Sequence, residues 1–293
     1  MRLLSIILFL LVLLPSCRKG EAPSYEEDDN NVEKPKYVWF SSGISVEVQS
    51  NALGRSAIDT DRLSGNSEVG VFGIRATESE QSTLGDRING DAECQEYLEN
   101  VKYVVDPESG LLQQENLAEW PNNSSGYEGL SFYAYYPYDL SITRNSIQGH
   151  PQIEDSYYSK ISLDNSDMSL TKDYLYTGKI YENTPSGQTD TKVKLLFKHA
   201  LSRIKFVIES TKPGVSTHVY KIVVNANCGK DGKFYIADGT CKPDKTTSLS
   251  YTYKVKKDLT TENSIQADFL LFPNVMINYI DLYINSEYED PYT

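Results

Sequence analysis

Apolar residues recur at every second position in short runs along this chain, and polar stretches rich in turn formers separate the runs. In the segment 37–48, Val38, Phe40, Ile44, Val46 and Val48 are apolar on even positions, the period of a strand with one buried face. A polar stretch from Gln49 to Glu68 follows and reads as a loop. Val69-Gly70-Val71-Phe72-Gly73-Ile74 is apolar throughout and suits a strand buried on both faces. Further strands are expected over Val101 to Val105, Leu130 to Tyr136 and Asp173 to Thr177. Turn chemistry such as Asp106-Pro107-Glu108-Ser109-Gly110 separates them. Only Asp91 to Asn100 suggests a helical turn or two.

The polar segment Asn183 to Asp190 reads as a domain boundary. Beyond it, the odd positions Val193, Leu195 and Phe197 give way to the even positions Ile204, Phe206 and Ile208. A parity switch inside one strand needs an extra residue, so a β-bulge is expected near His199 to Ser202. Strands at Val219 to Val224, Phe234 to Ile236, Tyr251 to Val255, Asp268 to Phe272 and Tyr279 to Ile284 complete an all-β pattern.

The N-terminus changes the picture from a fold to a location. Arg2 precedes an apolar run from Leu3 to Leu14, too short for the roughly 20 residues of a spanning helix. Leu14-Pro15-Ser16-Cys17 then resembles the lipobox of bacterial lipoproteins, which implies cleavage before Cys17 and acylation of that cysteine. The expected product is an exported protein anchored to a membrane by lipid. Residues 1–16 are then the signal and residues 17–36 a charged tether. The folded part divides into 37–189 and 190–293.

The chain carries a net charge of −13, which argues against a nucleic-acid partner, since phosphates need a Lys/Arg footprint. Its 22 tyrosines fit either a Tyr-rich β protein or a Tyr-rich binding face. Cys228 and Cys241 flank a Gly/Asp-rich segment that reads as a hairpin. A disulfide between them and two separate thiols are both open in an oxidising compartment. Cys94 has no evident partner.

No pattern for catalysis or a cofactor emerges, and no enzymatic activity is expected. The three histidines, His150, His199 and His218, are too far apart in sequence for a His-x-x-x-His metal pair. His199 reads as a hydrogen-bonded structural residue. The Asp59-Thr60-Asp61 and Asp164-Asn165-Ser166-Asp167 clusters lack the calcium-loop spacing and read as turns.

The order of elements carries a resemblance. A lipobox precedes Phe40-Ser41-Ser42-Gly43-Ile44, and an Arg-containing loop leads to Val69-Gly70-Val71-Phe72-Gly73. Trp120-Pro121, Phe132-Tyr133-Ala134-Tyr135-Tyr136-Pro137-Tyr138 and Asp173-Tyr174-Leu175-Tyr176 follow. Last comes Phe197-Lys198-His199-Ala200-Leu201-Ser202-Arg203-Ile204-Lys205-Phe206. This succession, from Cys17 to about Phe272, resembles the fimbrillins, the type V pilus subunits of Bacteroidales. The resemblance implies two tandem transthyretin-like Greek-key β-sandwiches at the outer membrane surface, in a fimbrium that supports adhesion. It also implies donor-strand exchange, in which a trypsin-like or arginine-specific protease cuts the loop after the first strand. The matching site is Arg55, with Arg62 as the alternative, and the exchanged strand buries Val38, Phe40, Ile44, Val46 and Val48. Other pilus subunits and the processing protease are the implied partners. The second sandwich looks short of a strand or more. The alternative is a glycan-binding surface lipoprotein displaying aromatic rings around Trp120 and Tyr133 to Tyr138.

Overall fold

The computed structural model describes residues 37–44, 63–76, 96–115, 117–121, 129–142, 157–185 and 192–285, all within the compact unit Pro35–Thr293. The described strands are, in chain order, β1 (Trp39–Ile44), β2 (Glu68–Ala76), β3 (Glu96–Val105), β4 (Leu111–Gln113), β5 (Gly129–Tyr136) and β6 (Tyr158–Ser162). There follow β7 (Leu175–Tyr176), β8 (Ile180–Asn183), β9 (Lys192–His199), β10 (Ser202–Glu209) and β11 (Thr217–Asn227). Last come β12 (Asp231–Tyr235), β13 (Cys241–Pro243), β14 (Ser248–Leu259), β15 (Ser264–Leu271) and β16 (Ile277–Ile284). The helical content among the described residues is the single 3-10 turn Met168–Leu170, capped by Asp167.

Seven strands close a ring in the order β2-β3-β4-β1-β9-β7-β5, sealed by antiparallel pairing of β5 back to β2. β8 takes the remaining edge of β5 beyond β7. The inward side chains of the ring form one core, including Val69, Val71, Tyr103, Leu112, Phe132, Val193, Leu195 and Phe197. The opposite faces of β2 and β5 present Phe72, Ile74, Tyr133 and Tyr135 to a second core. Ile161, Phe234, Ile222, Val224, Phe269 and Phe272 supply the other side of it. The second core is roofed by the sheets β13-β12-β6, β10-β15 and β14-β11-β16.

This arrangement explains two runs of sequence. Val69 to Ile74 is apolar throughout because β2 separates two cores, as the sequence implied. β5 does the same, so seven of its eight residues are buried. Tyr133 and Tyr135 are therefore covered, and Tyr136 is half-buried.

Other expectations are corrected. The parity switch at His199 to Ser202 is a change of sheet: β9 ends in the ring, Ala200 and Leu201 are buried, and β10 begins a new pairing with β15. No extra residue within one strand is required. Glu96 to Asn100 belongs to the strand β3, whose pairing with β2 shifts register at Gly73. The strands also do not part at 189/190. β9, beyond that point, lies between β1 and β7, while β6, before it, pairs with β12. Where tandem sandwiches were expected, the described strands draw one ring and three smaller sheets sharing a core.

Candidate functional site

β1 is the first described strand and a central member of the ring. Along one edge it runs parallel to β9 for its whole length, from Trp39 opposite Lys192 to Ile44 opposite Phe197. Along the other it runs antiparallel to β4, with Phe40 opposite Leu112 and Ser41 opposite Leu111. Ser42 extends that edge, its Oγ donating to Gly110 O at 3.0 Å. Before the strand, Val38 N donates to Ala118 O at 2.7 Å, and Tyr37 bridges to Glu119.

Val38, Phe40 and Ile44 are buried in the ring core, as the even-position pattern implied. Phe40 is the anchor. Its ring meets Tyr103 edge-on at 5.2 Å and Phe132 edge-on at 5.0 Å. Trp120 in turn packs edge-on against Phe132 at 6.1 Å. Burial pushes the Tyr103 phenol well above the ordinary tyrosine range, as expected for a ring deep in apolar surroundings. Without β1, the chain would present a groove between the edges of β4 and β9. Leu112, Val193, Leu195, Phe197, Tyr103 and Phe132 would line it. Such a groove offers two rows of backbone hydrogen-bonding groups and an apolar floor, the requirements for accepting a strand.

Val46, Val48, Arg55 and Arg62 lie outside the described residues, as do Cys17, Cys94 and the Asp59-Thr60-Asp61 cluster. The Asp164 cluster is a turn: the Asp164 carboxylate accepts from Ser166 N, Ser166 Oγ and Asp167 N. His199 sits where β9 ends, its Nδ1 2.8 Å from Asp173 Oδ2. Cys228 and Cys241 are free, buried thiols. The β12–β13 hairpin places Cys241 opposite Phe234 rather than Cys228. Each thiol turns instead to a nearby carbonyl, Cys228 to Gly229 O and Cys241 to Gly239 O.

The aromatic display around Trp120 and Tyr133 to Tyr138 is corrected. Trp120, packed on Phe132, is 6% exposed, and Tyr133 is 3% and Tyr135 0% exposed because both faces of β5 are covered there, while Tyr136 and Tyr138 are half-buried. Tyr135 is further pinned, its hydroxyl donating to Asn100 Oδ1 at 2.7 Å. Sequence reasoning missed two contributors to the β1 site: the short strand β4 and the segment 117–121. Leu111-Leu112 after the Gly110 turn was the available sign of β4. The parallel β1–β9 pairing left no local trace.

Comparison with known proteins agrees with this architecture. The fimbrillin-like family model matches residues 55–293. No curated protein matches the sequence. A candidate cell adhesion protein from Bacteroides uniformis has a similar structure, with a TM-score of 0.54 at 14% identity over 85% of this chain and 80% of that one. Another, from Bacteroides ovatus, gives a TM-score of 0.50 at 15% identity over 88% of this chain and 84% of that one. At that identity these two speak to the all-β fold alone. The family match spans most of the chain, and the chain belongs to the fimbrillin-like family.

Proposed function

We propose that this protein is a lipid-anchored subunit of a cell-surface fimbrium, with a structural role, and that it joins its neighbours by exchange of β1. The observation that carries the reading is the position of β1. It is the first described strand and fills the centre of a sheet, paired on both edges and anchored by Phe40. A cut in the sequence that follows it would let it leave without unthreading the strands beyond. The sequence just after it holds Arg55 and Arg62, so one tryptic cut would leave β1 attached only by non-covalent contacts. A strand from another subunit would then find the β4 and β9 edges and the same apolar floor. Cys17 would supply the anchor to the outer membrane.

Timed trypsin digestion of the mature chain carrying Cys17→Ser, read by intact mass and native gel, tests the proposal. An early cut after Arg55 or Arg62, followed by loss of the N-terminal fragment and growth of heat-sensitive oligomers, is expected. Cleavage with β1 retained and the protein still monomeric would sink the exchange mechanism.

A further inference from the structure

The sheet β14-β11-β16 ends at β16, which pairs with β11 along one side only. A free strand edge presents unpaired backbone N–H and C=O groups, and proteins guard such edges with charge, proline, brevity or a bulge. Other edges of the small sheets are guarded in this way. β14 carries Lys254, Lys256 and Lys257, with a break in its pairing between Lys254 and Lys257 and Lys256 at φ of 50°. β10 carries Arg203, Lys205 and Glu209, and β13 is three residues long and ends on Pro243. β16 has no lysine, arginine or proline over eight residues, and its one charge, Asp281, is buried. Its pairing with β11 shifts at Asn278, which leaves Tyr279 to Ile284 without an extra residue on this strand. Of the nine exposed large apolar side chains among the described residues, four (Met276, Ile277, Tyr279 and Ile280) cluster at its start. Ile277 and Ile280 lie opposite Ala226 and Val224, which are wholly buried, yet each is 37% exposed. They stand on the core side of the sheet and are exposed because no described strand lies beyond β16.

We propose that the β16 edge pairs with β16 of a second copy, antiparallel about a two-fold axis at Leu282, so that two three-stranded sheets become one of six. The strand is complementary to itself in that register. Leu282 meets its own copy and Ile280 meets Ile284, so the core-side row is apolar across the junction. On the outer side Asp281 meets Tyr283, whose ring already holds the Lys221 ammonium at 4.2 Å. A row of Lys254, Lys221 and Tyr283 is thereby set against the Asp281 carboxylate of the other copy, twice per dimer. Moving the axis to Asp281 would instead oppose two carboxylates.

The net charge of −13 opposes self-association, but this sheet does not share it. Its three strands carry Lys221, Lys254, Lys256 and Lys257 against Asp258 and Asp281. Charges elsewhere are screened over about 8 Å at 0.15 M salt. Edge pairing covers one strand per copy, which places the dimer among weak interfaces, below about 1,200 Å². It involves neither β1 nor the ring and does not depend on strand exchange.

The test is sedimentation equilibrium of the mature Cys17→Ser chain, uncut, from about 1 to 300 µM, the range in which a weak complex dissociates. Exchange of β1 needs a cut after Arg55 or Arg62, so the uncut chain separates the two proposals. We expect the average mass to rise towards two chains, with amide hydrogen exchange over residues 279–284 slowing in step. Ile280→Lys places ammonium groups in the apolar row and should weaken the dimer about tenfold or more. Val215→Lys, the same kind of change at an exposed position before β11, should leave it unchanged. Thermal melting confirms folding. If Ile280→Lys fails to fold, Lys221→Glu serves instead, since it turns the attraction to Asp281 into repulsion, with Lys257→Glu as its control of equal charge. A single-chain mass throughout, or a dimer weakened no more by the test variant than by its control, overturns the proposal. Uncut oligomers larger than two overturn it as well, because two-fold pairing closes.

Discussion

Replacing Phe40 with Ala tests the central placement of β1 most directly. The side chain is wholly buried and contacts Tyr103 and Phe132 edge-on. Loss of its burial removes about 1.5–3 kcal/mol. The two aromatic pairs add about 0.5–1.5 kcal/mol each. The site is bounded by Leu112 and Val193 on paired strands, so little collapse can fill the space. The total should fall near 3–5 kcal/mol, the usual range for Phe→Ala in a core. Urea unfolding followed by tryptophan fluorescence is suitable, because Trp39 and Trp120 flank the site. With a slope of about 3 kcal/mol per molar, the midpoint should drop by roughly 1–1.7 M. Lys194→Ala, on an exposed β9 position, is the control and should stay within about 0.5 kcal/mol. In a chain cut after Arg55, the same loss should speed release of β1 about a hundredfold or more. A Phe40→Ala loss below about 1 kcal/mol would refute the packing argued for β1.

Three further outcomes follow from the same structure. Gly70→Ala would drive its Cβ into the Tyr135 ring, which cannot yield because its hydroxyl is bonded to Asn100 and Asp139. A destabilisation of about 1–3 kcal/mol is expected by thermal or urea unfolding. Burial alone would raise the pKa of Asp139, but bonds from Ser141 Oγ, Ser141 N and Ser159 Oγ outweigh it and hold the carboxyl below its ordinary range. Its stabilisation is therefore present above the unfolded value of about 3.9 and lost as the pH falls through the lower folded value. Urea midpoints across pH should show Asp139→Asn weakest relative to the parent at neutral pH, converging in acid. Burial, with Asp238 nearby, pushes the Cys241 thiol up to about 12, so iodoacetamide at about pH 8 should spare it in the folded protein. After unfolding without reductant, peptide mapping should find both Cys228 and Cys241 alkylated; a bridged peptide would contradict the free thiols.

The all-β class was legible because most strands bury one face and so alternate. Misreadings cluster where that condition fails. β5 is covered on both faces, so its tyrosines, polar at the tip, mimic a half-exposed strand while being buried. β3 is charged at Glu96 and Glu99, and its pairing with β2 slips at Gly73, so its period breaks where a helical turn was expected. Asn100 there adopts φ of 45° and turns its amide to Asp139 O and Ile142 O, a contact with no local sequence sign. At Ala200 and Leu201 one chain segment leaves one sheet for another, which in sequence looks the same as a bulge.

The site divides along the same line. The apolar face of β1 could be read from Val38, Phe40 and Ile44 because it depends only on neighbours in sequence. Its partners could not, since β9 lies about 150 residues further on and parallel pairing needs no turn to announce it. This division bears on the exchange proposed for β1. Under that proposal an incoming strand would need only the local feature, apolar residues on alternate positions, whereas the accepting groove would be built from β4 and β9, far apart in the chain. Donors can therefore vary widely in sequence, while changes on the groove face of β9 at Val193, Leu195 or Phe197 would damage acceptance of any of them. Specificity in assembly should thus reside in the groove more than in the strand that fills it.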